Sequence, residues 1–142
     1  MTMEPWQWED AFNLFAGDLL GEGIHRKVFA HRHDPTLVIK AETGTFSHAN
    51  MSEWDAWMCW GDAKEGQWLA PCVAISPQGR LLLQRRVMPV PLEDLPEKVP
   101  AFLTDLKRSN FGRYKGRIVC CDYGSLVTNL NNRLKEAHWD DC

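Results

Sequence analysis

Four prolines fall within twelve residues near the middle of the chain: Pro89, Pro91, Pro96 and Pro100. Proline has no backbone N–H and its ring fixes φ, so this segment cannot form a regular helix or a central strand of a sheet. We therefore interpret residues 89–100 as an extended linker. It divides the 142-residue chain into a longer first part, residues 1–88, and a shorter second part, residues 101–142.

The first part has the pattern of two helices and four short strands. Apolar residues at helical spacing predict a helix from about Trp6 to Phe15, with Pro5 in its first turn. Ser47 is the expected N-cap of a second helix, which ends near Trp60 because Gly61 follows. Turn signals separate the four predicted strands, which are Lys27–His31, Leu37–Ala41, Pro71–Ser76 and Arg80–Arg85.

The second part predicts one strand near Arg117–Cys121 and a final helix from about Ser125 to Ala137. The chain shows no internal repeat and no low-complexity tract. Its 44% hydrophobic and 25% charged residues are ordinary for a globular protein. Together with the length, these patterns predict one α+β domain.

Composition excludes several classes of protein. No apolar run approaches the roughly 20 residues that a membrane helix needs. The N-terminus lacks the basic and apolar regions of a secretory signal, so we expect a cytoplasmic protein. The five cysteines show no C-x-x-C spacing, and this argues against a disulfide framework or a zinc site.

The net charge of −3 argues against non-specific binding of nucleic acid, which requires clustered positive charge. Two local groups of cations stand apart from this average. One contains Arg80, Arg85 and Arg86, and the other contains Lys107, Arg108, Arg113, Lys115 and Arg117.

The second part also carries two short polar motifs in a fixed order. Asp105 and Asn110 are the ends of a D-L-K-x-x-N motif whose lysine is Lys107. An apolar stretch then leads to Asp122, the first residue of a D-Y-G motif. In phosphoryl transfer, one Asp accepts a hydroxyl proton, a Lys neutralises phosphate charge, and an Asn and a second Asp hold magnesium.

Two further features precede these motifs in the first part: a glycine-containing turn and an apolar strand with a lysine. Gly21 and Gly23 lie in a turn of the G-x-G-x-x-G-x-V type, in which Val28 is the valine and Arg26 replaces the third glycine. A following apolar strand ends in Lys40. Glu53 is the predicted acidic partner of Lys40, because it lies in the apolar stripe of the second helix, where a carboxylate needs a cation. Glu53 could instead lie in water at the edge of that stripe, and Glu42 and Glu65 are weaker candidates.

In this order the motifs resemble those of protein kinases. The resemblance implies a minimal kinase-like fold: an antiparallel N-lobe sheet with one main helix in residues 1–88, and a much reduced C-lobe in residues 101–142. It also implies ATP and magnesium as cofactors, with Asp105 as the catalytic base, Lys107 on a phosphate, and Asn110 and Asp122 as magnesium ligands. The remaining implied nucleotide-binding residues are Gly21, Gly23, Arg26, Val28, Lys40 and Glu53.

The second part departs from the kinase pattern in two places. Phe102-Leu103-Thr104 stands before Asp105 instead of His-Arg, and only 18 residues follow Gly124, with no A-P-E motif among them. The helices that position a protein substrate are therefore missing. We expect a kinase-like binding protein with little or no catalysis, which docks to another protein with or without bound Mg-nucleotide. The alternatives are an active miniature kinase acting on a small molecule or a flexible segment, and a small α+β domain with no nucleotide site.

Three segments look similar to small proteins of tailed bacteriophages, to which no activity is assigned. They are Trp68–Pro71, Gly79–Leu83 and Pro100–Gly112. This similarity implies a protein partner in a bacterial host, including a host-defence protein, and a location in the host cytosol.

Overall fold

The computed structural model describes residues 5–44, 48–126 and 130–141. Within these ranges the chain is α+β, with two α-helices and a five-stranded antiparallel sheet. Helix α1 (Pro5–Phe15) and helix α2 (Ala49–Trp60) lie close to their predicted positions. The predicted N-cap, Ser47, is outside the described residues. Neither described helix has the length and apolar character that crossing a membrane requires.

The five-stranded sheet has the order β1-β2-β3-β5-β4. Its strands are β1 (Ala16–Glu22), β2 (Arg26–His31), β3 (Leu37–Glu42), β4 (Cys72–Ile75) and β5 (Leu81–Arg85). The central strand β3 is the most enclosed, because every residue from Leu37 to Ala41 is buried. The four predicted strands are confirmed to within about two residues at each end. Strand β1 was not predicted from the sequence.

Helix α2 packs against this sheet through one narrow face. Its buried residues, Asn50, Glu53 and Ala56, recur every three positions and therefore lie on the same side of the helix. Two of the three are polar. The interface between helix and sheet thus contains hydrogen-bonding groups where an apolar stripe would be the usual arrangement.

The proline-rich segment is extended and well packed. It contains a short 3-10 turn at Leu92–Asp94 and strand β6 (Lys98–Pro100). Val90, Leu95 and Val99 are buried in the hydrophobic core. Residues from both sides of the segment belong to that same core cluster, so the apolar side chains of the first and second parts form one continuous core.

A β-hairpin forms the centre of the second part. Strand β7 (Phe111–Tyr114) pairs with β8 (Arg117–Cys120), and the turn between them has positive φ at Lys115 (48°) and Gly116 (80°). Two consecutive residues with positive φ are typical of the tight turns that match the twist of a hairpin. Strand β8 was predicted, whereas β7 was not.

The predicted helix from Ser125 to Ala137 is wrong in the described part of this segment. Strand β9 (Leu134–Glu136) occupies it and pairs antiparallel with β6. Asn131 accepts a hydrogen bond from the Arg133 N–H at 3.0 Å, a local contact that competes with helical bonding. The Arg133 carbonyl then accepts the N–H of Ala101 at 2.8 Å, which continues the pairing beyond β6.

Candidate functional site

A fully buried carboxylate lies at the centre of the site. Glu53 is 0% exposed on the sheet-facing side of α2. A carboxylate removed from water is tolerated only when cations and hydrogen-bond donors surround it. The Glu53 oxygens accept hydrogen bonds from Lys40, from both terminal nitrogens of Arg26, from Gln84 Nε2 at 3.2 Å and from the Tyr123 N–H at 2.8 Å.

Lys40 on β3 forms the predicted ion pair with Glu53, so the expected strand-to-helix contact is present. Lys40 is 3% exposed, and its ammonium group also donates to the carbonyl oxygen of Cys121. The two weaker candidates have other partners. Glu42 accepts the Asn50 N–H at 2.8 Å, and Glu65 accepts the Asn132 amide at 2.5 Å.

Arg26, at the position of the third glycine, enters the same cluster from β2. Its guanidinium donates to the two Glu53 oxygens at 3.2 and 3.1 Å in a bidentate pair, and to Asn50 Oδ1 at 3.2 Å. It also donates to Asp122 Oδ1 at 2.9 Å. Arg26 is only 8% exposed, so its charge is directed inward, toward the carboxylates of the site.

The charges of this cluster balance. Burial alone would raise the pKa of Glu53, but Lys40 and Arg26 outweigh that effect and hold the pKa below its ordinary value. Two cations, Lys40 and Arg26, thus face two carboxylates, Glu53 and Asp122. The cluster has no net charge with which to attract a polyanion.

The D-Y-G segment is built into the core. The buried Tyr123 hydroxyl donates to the Ala70 carbonyl at 2.6 Å and lies 3.2 Å from Cys72 Sγ. Burial raises the pKa of the Tyr123 hydroxyl far above its usual value and raises that of the Cys72 thiol to about 11. A Cβ on Gly124 would lie 2.9 Å from the Ala49 carbonyl oxygen, so the close packing against α2 requires glycine here.

The D-L-K-x-x-N loop is held by its own backbone and lies next to the D-Y-G segment. The Asp105 carbonyl accepts the Lys107 N–H at 3.0 Å and the Asn110 side-chain amide at 3.1 Å. The Asn110 carbonyl accepts the Cys121 N–H at 2.8 Å, which connects the two motifs. Asp105 and Asp122 line the same small crevice. Lys107 is exposed, and its backbone forms a bridge with Asp140.

The predicted glycine-rich turn forms a hairpin between β1 and β2. Gly21 pairs with Val28, and the Gly23 N–H donates to the Arg26 carbonyl at 2.8 Å. A Cβ built on Gly21 meets no atom within 4 Å, so nothing in the structure crowds this position. Among the predicted nucleotide-binding residues, Arg26 and Lys40 both bond to Glu53 through their side chains.

The residues as arranged do not fit magnesium-nucleotide. The crevice that Asp105 and Asp122 share has a volume of about 10 Å³, close to the space of one water molecule. A bound nucleotide needs a pocket of several hundred Å³. A metal ion at Asp122 would also have to displace the Arg26 guanidinium, which donates to Asp122 Oδ1 at 2.9 Å. Within residues 5–44, 48–126 and 130–141, no three His, Cys, Asp or Glu side chains gather into a metal-binding group.

Two buried polar residues of the site were not predicted from the sequence. Asn50 lies one turn before Glu53 on α2 and bonds to three backbone carbonyls, those of Lys40, Gly79 and Arg80. Gln84 is 0% exposed on β5 and donates to Glu53. The only sequence signal for Gln84 is a polar residue inside the apolar strand pattern around Leu82.

The fold and the site therefore define an α+β protein in which Arg26, Lys40 and Glu53 form a buried cluster between sheet and helix, and the exposed Asp122 of the D-Y-G segment balances its charge. No family model matches the chain, and no curated protein matches it.

Proposed function

We propose that this chain is a reduced, kinase-like binding protein that acts by docking to another protein and does not transfer phosphoryl groups. One observation carries the proposal: Arg26, in place of a phosphate-facing glycine, is bonded to both Glu53 and Asp122. The groups that would receive a nucleotide and its metal are therefore already bonded to one another.

The order of elements supports the kinase-like part of the proposal. The elements occur in the order expected of a kinase N-lobe and its metal-binding loop: a glycine-containing hairpin, a strand carrying Lys40, a helix carrying Glu53 and a strand followed by D-Y-G. The Lys40–Glu53 pair matches the strand-to-helix ion pair of that arrangement. The strand and turn elements after residue 100 take the place of a helical substrate platform.

The closed cluster argues against catalysis on energetic grounds. Phosphoryl transfer depends on charged groups positioned to face the transferred phosphate. Here Arg26 is bonded to Asp122, the predicted magnesium ligand, and is itself held in a bidentate pair by the fully buried Glu53. Moving a cation out of such a buried pair costs roughly 3–5 kcal/mol, and nucleotide binding would have to offset that cost.

The partner class that we propose is a bacterial host protein, including a defence protein. It follows from the resemblance of three segments to phage proteins.

One observation favours the alternative of a miniature kinase. Asp105 and Asp122 line the same crevice, which is where a base and a metal ligand would have to lie. An opening of that crevice, coupled to movement of Arg26, would be required before a nucleotide could enter.

Thermal unfolding with and without millimolar Mg-ATP separates these functions, because a ligand that binds the native state raises its stability. We expect no shift for wild type and a stabilising shift for Arg26→Gly, in which the blocking side chain is absent. Lys27→Ala is the matched control, since Lys27 neighbours Arg26 on β2 and points to the opposite face. It should behave as wild type.

A shift in wild type that Lys40→Ala and Asp122→Asn abolish would overturn the proposal and support the miniature kinase. Appearance of labelled phosphate on a small molecule or a peptide would support it further. No shift in wild type or in Arg26→Gly is the result expected of an α+β domain that has no nucleotide site.

A further inference from the structure

A strongly basic segment runs from within the D-L-K-x-x-N motif to the residue before the D-Y-G motif. Residues 106–121 contain five lysines and arginines and no acidic residue. Since the whole chain has a net charge of −3, the other residues together have a charge of −3 − 5 = −8. This segment is therefore positive, whereas the rest of the chain is negative on balance, an asymmetry that orients approaching charged partners.

Three of the five cations lie on the β7–β8 hairpin and are exposed: Arg113, Lys115 and Arg117. Arg108 forms an ion pair with Asp141 at 2.5 Å, and on the hairpin Arg113 lies 3.9 Å from Asp94. On the hairpin, Tyr114 lies between two cations, with Lys115 Nζ 5.5 Å and the Arg117 guanidinium carbon 5.4 Å from its ring centroid. These contacts hold both charges at the hairpin tip over an aromatic ring.

A cleft of about 270 Å³ adjoins the hairpin at Arg117. We call it the hairpin cleft; its lining residues are Gln67, Trp68, Asp94, Pro96, Arg117 and Ile118. Its volume lies just below the roughly 300–1,000 Å³ of small-molecule pockets, and it suits one or two side chains. Arg117 is fixed at the edge of the cleft by a hydrogen bond from Nε to the Gln67 carbonyl at 3.0 Å.

We infer that the hairpin cleft and the three hairpin cations form a docking surface for an acidic, extended segment of a partner protein. An apolar or aromatic side chain of that segment would enter the cleft against Trp68 and Pro96, and its carboxylates would pair with Arg113, Lys115 and Arg117. Tryptophan, tyrosine and arginine are the residues that most often dominate binding at protein interfaces. This inference rests on the proposed function and names the chemistry of the partner.

The same observations favour a short acidic protein segment over nucleic acid. Asp94 lines the cleft and lies 3.9 Å from Arg113, so a phosphate entering the cleft would meet a carboxylate. A long polyanion would also pass from the hairpin onto a chain with a charge of −8, which repels it. A short acidic segment whose carboxylates all lie at the hairpin avoids this repulsion.

Fluorescence anisotropy with a labelled peptide tests the inference on the full chain. The probe is a peptide of about eight residues, all glutamate except one central phenylalanine. Two comparison peptides carry glycine in place of phenylalanine or lysine in place of glutamate. The third comparison probe is an oligothymidylate with the same charge as the acidic peptide. We expect the glutamate–phenylalanine probe to bind most tightly and to weaken as salt is added, because salt screens exposed charges.

Matched variants identify the surface. We expect Arg117→Ala to bind the peptide about tenfold more weakly, because Arg117 both lines the cleft and carries one of the charges. Lys115→Asn should bind it about threefold more weakly. Asparagine accommodates the positive φ at position 115, so this variant keeps the turn. Arg133→Ala removes an exposed cation outside the surface and should bind as wild type.

No binding of the acidic peptide, or equal loss in Arg133→Ala, would overturn the inference. Tighter binding of oligothymidylate would replace it with a nucleic-acid surface. The outcome is separate from that of the Mg-ATP experiment: peptide binding at the hairpin together with stabilisation of wild type by nucleotide would overturn the proposed function and leave this surface in place.

Discussion

At the scale of single residues, burial determines which groups of this protein can react. Cys59 is exposed, whereas Cys72 and Cys120 are buried. Burial raises the pKa of Cys72 to about 11 and that of Cys120 well above its ordinary value. Because the thiolate is the reactive form, both buried thiols should be inert in the native protein.

We therefore expect iodoacetamide at about pH 8 to modify Cys59 in the native state and to leave Cys72 and Cys120 unmodified. Peptide mass spectrometry measures the modified fraction at each cysteine. Labelling in denaturant is the control, since all three should then react. Modification of Cys72 at the rate of Cys59 in the native protein would contradict the burial described here.

The residues of the site differ in how far the sequence could predict them. The Lys40–Glu53 pair was predicted because a carboxylate in the apolar stripe of a helix needs a cation, and the preceding strand ends in one. The bonds from Arg26 to Glu53 and Asp122 depend on how β2, α2 and the D-Y-G segment meet in space. Arg26 is far from Glu53 and Asp122 in the sequence, so no periodic pattern predicts its contacts with them.

At the scale of elements, Asn50 attaches α2 to the sheet. Its side-chain amide donates to the carbonyls of Lys40 at 2.9 Å, Gly79 at 2.8 Å and Arg80 at 3.1 Å, and its oxygen accepts from Arg26. These atoms belong to β2, β3 and the turn before β5. One buried side chain thus connects the first turn of the helix to three parts of the sheet.

We expect Asn50→Ala to lower the free energy of unfolding by about 2–3 kcal/mol, because buried carbonyls and the Arg26 guanidinium lose a partner. Ser52→Ala on the same helix is the control. Ser52 is exposed, and this change should stay within about 0.5 kcal/mol. Urea unfolding followed by tryptophan fluorescence measures both. Equal stability of Asn50→Ala and wild type would show that the helix is held by its apolar contacts alone.

Elements were predicted where periodicity or turn residues were strong. Strand β3 and helix α2 have apolar patterns bounded by clear turns. Strand β1 contains Gly17, Asp18 and Gly21, residues that are depleted in strands, and its register with β2 is irregular. The segment that includes β9 was mistaken for a helix because its pairing with β6 joins residues more than thirty positions apart, a contact that local sequence does not encode.

At the scale of the whole molecule, Glu53 connects the two parts of the chain. Its carboxylate binds Arg26 and Lys40 from the sheet and the Tyr123 N–H from the second part. The hydrophobic core also runs through both parts. We therefore expect the chain to unfold in one cooperative transition, to which the ionisation of Glu53 is coupled.

The ionisation of Glu53 makes stability depend on pH. Burial opposes its charge, yet Lys40 and Arg26 hold its pKa below the ordinary value, so the folded pKa lies below the unfolded pKa of roughly 4.3. For such a group the stabilisation is fully present above the unfolded pKa and is lost as pH falls through the folded pKa. We expect the free energy of unfolding to decrease as the pH falls below about 5.

Glu53→Gln should reduce that acid dependence and lower stability near neutral pH by about 3–5 kcal/mol, because two buried cations lose their carboxylate. Glu9→Gln, at an exposed position of α1, is the control and should retain the wild-type dependence. Urea unfolding at several pH values, followed by fluorescence of the seven tryptophans, gives both quantities. If Glu53→Gln kept the full acid dependence of wild type, other carboxylates would be its source and the central role of Glu53 would be refuted.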